Sequence, residues 1–119
     1  MARRTKTPEL FSGKDLVNLE LERDFQNRVI EVATLNRWRV YAIGDSRRAT
    51  MAGYPDLTMW NIHQRRLIFA ELKREKGRVS EAQKMVLGEL EQIPGAECYL
   101  WRPSQWNEIV ATLSKRGKP

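Results

Sequence analysis

Asp56-Leu57-Thr58-Met59-Trp60-Asn61-Ile62-His63-Gln64-Arg65-Arg66-Leu67-Ile68-Phe69-Ala70-Glu71-Leu72-Lys73 reads as two strands and a turn. Residues 56–60 and 67–73 are the strand candidates, and the polar segment around His63 and Gln64 predicts an antiparallel hairpin between them. Folding about the midpoint between His63 and Gln64 sets Asp56 opposite Glu71, and directly opposed residues lie about 4.5–5.5 Å apart. Two carboxylates that close repel unless a cation lies between them, and such a pair suits a hard divalent ion such as Mg²⁺. Alternation along the second strand puts Ile68, Ala70 and Leu72 on one face and Phe69, Glu71 and Lys73 on the other. Lys73 then stands beside the acid pair, an arrangement suited to holding a cation, a phosphate and an attacking water together. The plainer alternative is an exposed Glu/Lys ladder on an edge strand.

Upstream of the hairpin, apolar residues recur at helical spacing over residues 19–35, with Phe25, Val29, Val32 and Ala33 on one face. Glu22 falls within that apolar arc, with Gln26 one turn later. A carboxylate aimed at the sheet needs a cation, a hydrogen-bonding partner or a wet cavity, and a metal-bearing cleft offers all three; a slightly rotated helix would instead leave it at the margin. A short strand is expected at 38–43, then a loop rich in Gly and Arg that runs to Gly53. Downstream, Ser80 and Gln83 form a capping-box pattern at the start of a second helix, whose expected buried stripe is Ala82, Val86, Leu90 and Ile93. Pro94-Gly95 ends it. A strand over 97–101 and a short helix over 105–113 complete an order that predicts an α/β fold, a mixed sheet flanked by helices.

The chain has 119 residues, enough for one compact domain. The expected division is a flexible basic arm over residues 1–15, one domain over 16–113, and a basic tail over 114–119. One cysteine, Cys98, excludes an internal disulfide, and with a single histidine, His63, no Cys/His zinc site can be assembled, so any metal must be held by oxygen. His63 sits in the turn and is read as incidental, and Cys98 as a core residue. No long apolar run or signal-like segment is visible, and a cytoplasmic protein is expected. The 21 Lys and Arg against 15 Asp and Glu leave a net charge of +6, which favours polyanionic partners. Arg47, Arg48, Lys76 and Arg78 flank the acid pair in sequence and are the candidate contacts for such a polyanion, with solvated surface charge as the alternative for each. Trp60, Trp101 and Trp106 are read as packing residues rather than base-stacking platforms, and Arg102-Pro103 as a strand exit.

Five segments in order, Glu22-Arg-Asp-Phe-Gln26, Gly53-Tyr-Pro-Asp56-Leu, Ala70-Glu71-Leu-Lys73, Ser80-Glu-Ala-Gln83 and Tyr99-Leu-Trp-Arg-Pro103, resemble the VRR-NUC domain, a branch of the PD-(D/E)XK nuclease superfamily. The resemblance implies a restriction-endonuclease-like core and Mg²⁺- or Mn²⁺-dependent hydrolysis of DNA. It also implies metal ligation by Asp56, Glu71 and the Leu72 carbonyl, with Lys73 placing water or offsetting transition-state charge and Glu22 completing the acidic cluster. Gln83 matches the glutamine of the following helix, so a catalytic role and a capping role both stand for it. Ala42 occupies a position where some relatives carry histidine. Chains this short resemble the standalone phage and bacterial form, which implies a homodimer acting on branched DNA such as four-way (Holliday) junctions.

Overall fold

The computed structural model describes residues 13–44 and 50–115. Its elements run α1 (Gly13–Leu35), β1 (Arg39–Ala42), β2 (Leu57–Asn61), β3 (Arg66–Leu72), α2 (Glu81–Leu90), β4 (Ala96–Trp101), a 3₁₀ turn (Pro103–Gln105) and α3 (Trp106–Ser114). The four strands form one mixed sheet in the order β1-β2-β3-β4. β1 pairs with β2 and β2 with β3 antiparallel, while β3 and β4 run parallel with α2 as their crossover. No described helix is long and apolar enough to cross a membrane.

The hairpin holds the register that its turn midpoint dictates: Leu57 pairs with Ala70 and Asn61 with Arg66. Asn61 pins that register. Its side chain is 2% exposed, and Oδ1 accepts the N–H groups of His63 and Gln64, both at 2.9 Å, while Nδ2 donates to Asn36 O at 2.8 Å. Both ends of this buried amide are used close to the turn, so a shift of one residue would leave several groups without partners.

One face of the sheet carries the core. Met59 and Ile68 are opposed across the hairpin and Leu72 pairs with Trp101; Phe25, Val29 and Ala33 from α1 and Ile109 and Leu113 from α3 close over them. The helical face read from residues 25–33 is therefore the packed one. α1 starts six residues earlier than the apolar periodicity indicates, because residues 14–20 contain neither Gly nor Pro and extend a helix already nucleated by packing. Residues 1–12 of the anticipated arm and 116–119 of the tail lie outside the described residues.

α2 is shorter than its apolar stripe suggests. Gln92 and Ile93 donate their N–H groups to carbonyls three residues back, Glu89 O and Leu90 O, and Gly95 follows at φ +91°. This tightened end turns Ile93 away from the sheet, leaving it 56% exposed, and Val86 is the buried residue of the helix. Cys98 is only half-buried, and burial pushes its thiol pKa up.

Arg66 ties the far end of the hairpin to α3. Its guanidinium grips both Glu97 oxygens at 2.6 and 2.7 Å, donates to Thr112 O at 2.8 Å, and lies 5.1 Å from the centre of the Trp38 ring. Trp38 Nε1 and Gln64 Nε2 take up Leu113 O, so the last carbonyls of α3 have side-chain donors. The forked bond from Arg66 holds the Glu97 carboxyl below its ordinary range, while burial and the bond to Glu97 push Tyr99 up to about 12.

Candidate active site

The β2–β3 ladder stops at the Leu57–Ala70 pair, and Asp56 and Glu71 are the next opposed positions. There the Asp56 Oδ2 accepts the Leu72 N–H at 2.8 Å, so a side chain takes the place of the next strand residue. The Asp56 carbonyl accepts the Ile43 N–H at 3.1 Å, which fixes its backbone against the end of β1. Lys73 N–H donates to Trp101 O at 3.0 Å, on the β4 side. Because successive peptide groups of a strand point to opposite sides, the Leu72 carbonyl points with its N–H toward Asp56.

Around these atoms lies a cleft of about 500 Å³, lined by Glu22, Arg23 and Gln26 from α1, by Asp56, Glu71, Leu72 and Lys73, and by Gln83 from α2. The sequence candidates Asp56, Glu71, Leu72, Lys73, Glu22 and Gln83 thus share one pocket. Arg23 joins them unforeseen; its only sequence signal is its place beside Glu22 and three residues before Gln26 on the same helix. The third acid, however, is not gathered with the other two. Among the described residues no three Asp, Glu, His or Cys side chains converge as a metal-binding group. The cleft holds an acid pair with Glu22 on another wall, because a helix packed over a sheet keeps about 10 Å between backbones and a single glutamate does not span it fully.

Glu71 is 2% exposed, far from the exposed ladder that alternation alone permits. Its Oε2 accepts Gln83 Nε2 at 2.7 Å and faces Lys73 Nζ at 3.7 Å, while Oε1 is buried with no hydrogen-bond partner among the described residues. Burial first, and the neighbouring Asp56 carboxylate second, push the Glu71 pKa up to about 7 against the opposing pull of Lys73. An unpartnered buried carboxylate oxygen beside a second carboxylate and a strand carbonyl is a hard-oxygen donor set that fits a divalent cation.

Gln83 makes the cap and also bonds Glu71. Its Oε1 accepts the Ser80 N–H at 2.9 Å and its backbone N–H donates to Ser80 Oγ at 3.1 Å. With the oxygen used in the cap, the amide nitrogen must face Glu71. Gly53 brings this helix end close: at φ +92° it lies so near the Ala82–Gln83 peptide that a Cβ would stand 2.4 Å from Ala82 O.

The loop after Lys73 is latched from β4. Arg102 Nη1 donates to Arg74 O, Glu75 O and Gly77 O at 2.8, 3.2 and 2.9 Å, and Glu75 accepts Ser104 N and Oγ at 3.0 and 2.7 Å. Arg102 is more than a strand exit. The bonds from Ser104 hold Glu75 below its ordinary carboxyl pKa, and the latched segment presents Lys76 and Arg78, both exposed, between Lys73 and Gln83. Replacing Arg102 by Ala is expected to speed amide exchange at residues 74–77 at least tenfold while α1 stays protected, a local loss of about 1–2 kcal/mol readable by hydrogen exchange. Arg47 and Arg48 lie outside the described residues.

An acid pair and a lysine thus stand together at the end of a hairpin in a mixed α/β core. The family comparison supplies the class: residues 6–100 match the VRR-NUC domain, and the chain belongs to that family. It is accordingly a nuclease, with DNA as its substrate. No curated protein and no solved structure matches it.

Proposed function

We propose that this protein is a divalent-metal-dependent, structure-specific endonuclease that acts as a homodimer on branched DNA such as four-way junctions. The observation that carries the metal dependence is Glu71 Oε1, buried beside Asp56 with no partner among the described residues. Asp56, Glu71 and the Leu72 carbonyl would hold Mg²⁺ or Mn²⁺, and Glu22 lines the same cleft from the α1 wall. When bound, the cation supplies Lewis acidity for a water nucleophile and the phosphate.

The chain's own residues do the remainder. Gln83 holds Glu71 Oε2, so that the carboxylate keeps one orientation, with Oε1 buried and without a partner among the described residues. The Lys73 ammonium, only 16% exposed, offsets negative charge as a bond forms from water oxygen to phosphorus and the P–O3′ bond breaks, the proton passing to the leaving oxygen. Lys76 and Arg78, with Arg47 and Arg48, position the phosphates of the backbone without reading sequence. Each chain carries one such cleft, and symmetric cutting of two strands calls for two, related by a two-fold axis.

Labelled four-way junction, flap and linear duplex, incubated with protein and Mg²⁺ beside Asp56→Asn, test the reading. Expected are cuts in the branched substrates, absent with the variant and without metal, and a dimer mass in sedimentation. DNA binding without cutting by the unaltered protein would instead mark a non-cleaving module.

A further inference from the structure

Trp60 stands apart from the other tryptophans of the fold. Trp38 and Trp101 are 3% and 1% exposed, and Trp106 carries the Arg28 guanidinium 4.1 Å from its ring centre; Trp60 is 42% exposed and Tyr41 59%. The packing role read for Trp60 from sequence therefore gives way to a surface ring. Both side chains leave the same face of the sheet as Glu71, because Trp60 pairs with Arg39 and Tyr41 with Thr58, and Thr58 pairs with Phe69, two residues before Glu71. α2 packs on the β3 and β4 part of this face. Among the described residues no helix covers the β1 and β2 part, with its two rings.

From the cleft outward the face is a graded track. Phe69 comes first, met edge-on by Tyr54, whose hydroxyl bonds Thr58 Oγ1 at 2.8 Å. Tyr41 lies in the same cross-strand row, paired with Thr58, and Trp60 beside Arg39 belongs to the next row, two strand residues or about 7 Å farther out. Beyond Trp60 lies a shallow groove of about 410 Å³ bounded by Trp60, Ile62, Arg65 and Leu67. Apart from Glu71, no strand residue on this face is acidic, and Arg39 and Arg65 are exposed at its border.

Exposed rings interleaved with arginines on a sheet suit bases that are not already paired and stacked; a duplex offers only grooves and phosphates to such a surface. A second copy of this chain is the poorer occupant, since a two-fold contact here would set arginines against arginines in a chain of net charge +6. Resting on the nuclease reading, we propose that the open face is a track for an unpaired DNA strand leading to the cleft, with Trp60 and Tyr41 stacking on bases and Arg39 and Arg65 on the phosphates. Among branched substrates, those with a single-stranded segment beside the cut, such as flaps, are then favoured over fully paired four-way junctions.

The test measures fluorescence anisotropy in EDTA with a labelled oligodeoxythymidylate and with a fully paired duplex, for the unaltered protein, Trp60→Ala, Trp60→Phe and Tyr41→Ala. Trp60→Ala is expected to weaken oligodeoxythymidylate binding about tenfold or more and duplex binding less than about twofold, with Tyr41→Ala in the same direction and Trp60→Phe largely restoring affinity. No binding of the single strand by the unaltered protein, or equal losses on both probes, overturns the proposal. So does conversion of a dimer to a monomer by Trp60→Ala, which would mark the face as a subunit contact. Cleavage by the unaltered protein in Mg²⁺, lost in Asp56→Asn, judges the nuclease reading independently of these affinities.

Discussion

Glu71→Gln is expected to abolish DNA cleavage, by on the order of 10²–10³-fold or more, while making the metal-free protein more stable at pH 8 than the unaltered chain. Both effects come from one buried group. A glutamate in the unfolded chain loses its proton near 4.5, whereas Glu71 in the metal-free fold keeps it up to about 7. Between those values the folded state binds the extra proton, so stability falls as pH rises from about 4.5 to about 7, at roughly 1.4 kcal/mol per unit at most. The neutral amide of the variant leaves no charge to bury and should flatten that fall. A divalent cation favours the carboxylate form and reverses the trend, so Mg²⁺ should raise the melting temperature of the unaltered protein at pH 8 and leave the variant nearly unmoved. Melting curves at pH 5 and pH 8, with and without Mg²⁺, check this. Parallel curves for the two proteins would show that Glu71 is neither stressed by burial nor part of a cation site.

Gly53→Ala should damage fold and site together. Its φ of +92° disfavours any residue with a Cβ, and the new atom would stand 2.4 Å from Ala82 O and 2.5 Å from Ala82 C, backbone that cannot rotate away. Backbone strain of about 1–2 kcal/mol and overpacking of about 1–3 kcal/mol add to an expected loss of about 2–5 kcal/mol, a large part of the stability of a chain this size. Relief requires α2 to move, and α2 carries Gln83 against Glu71. Residual folded protein should therefore cleave more slowly than its folded fraction predicts. Urea unfolding coupled with single-turnover cleavage separates the two losses, and unchanged rates in the folded fraction would dissociate Gly53 from the site.

Much of this architecture is legible because it rests on short-range rules. Strand alternation and a turn midpoint are local properties, so the hairpin register and the opposition of Asp56 and Glu71 follow from residues 56–73 alone. The capping box at Ser80 and Gln83 is equally local. Arg102 is not: its three carbonyl partners lie 25–28 residues away, and no periodicity announces them. Glu22 marks the intermediate case, since helical phase places it toward the cleft but cannot say how far from the acid pair a packed helix leaves it.

Order and chemistry of the elements, the hairpin that opposes two acids, and the lysine beside them were set by the sequence through the periods of strand and helix. Which of those groups are withdrawn from water was decided only in three dimensions. Glu71 became a buried carboxylate because α2 closes over its half of the sheet, and Trp60 on the same face stayed exposed because that helix ends its reach at β3. Desolvation depends on what packs above a residue, and that is a property of distant segments meeting.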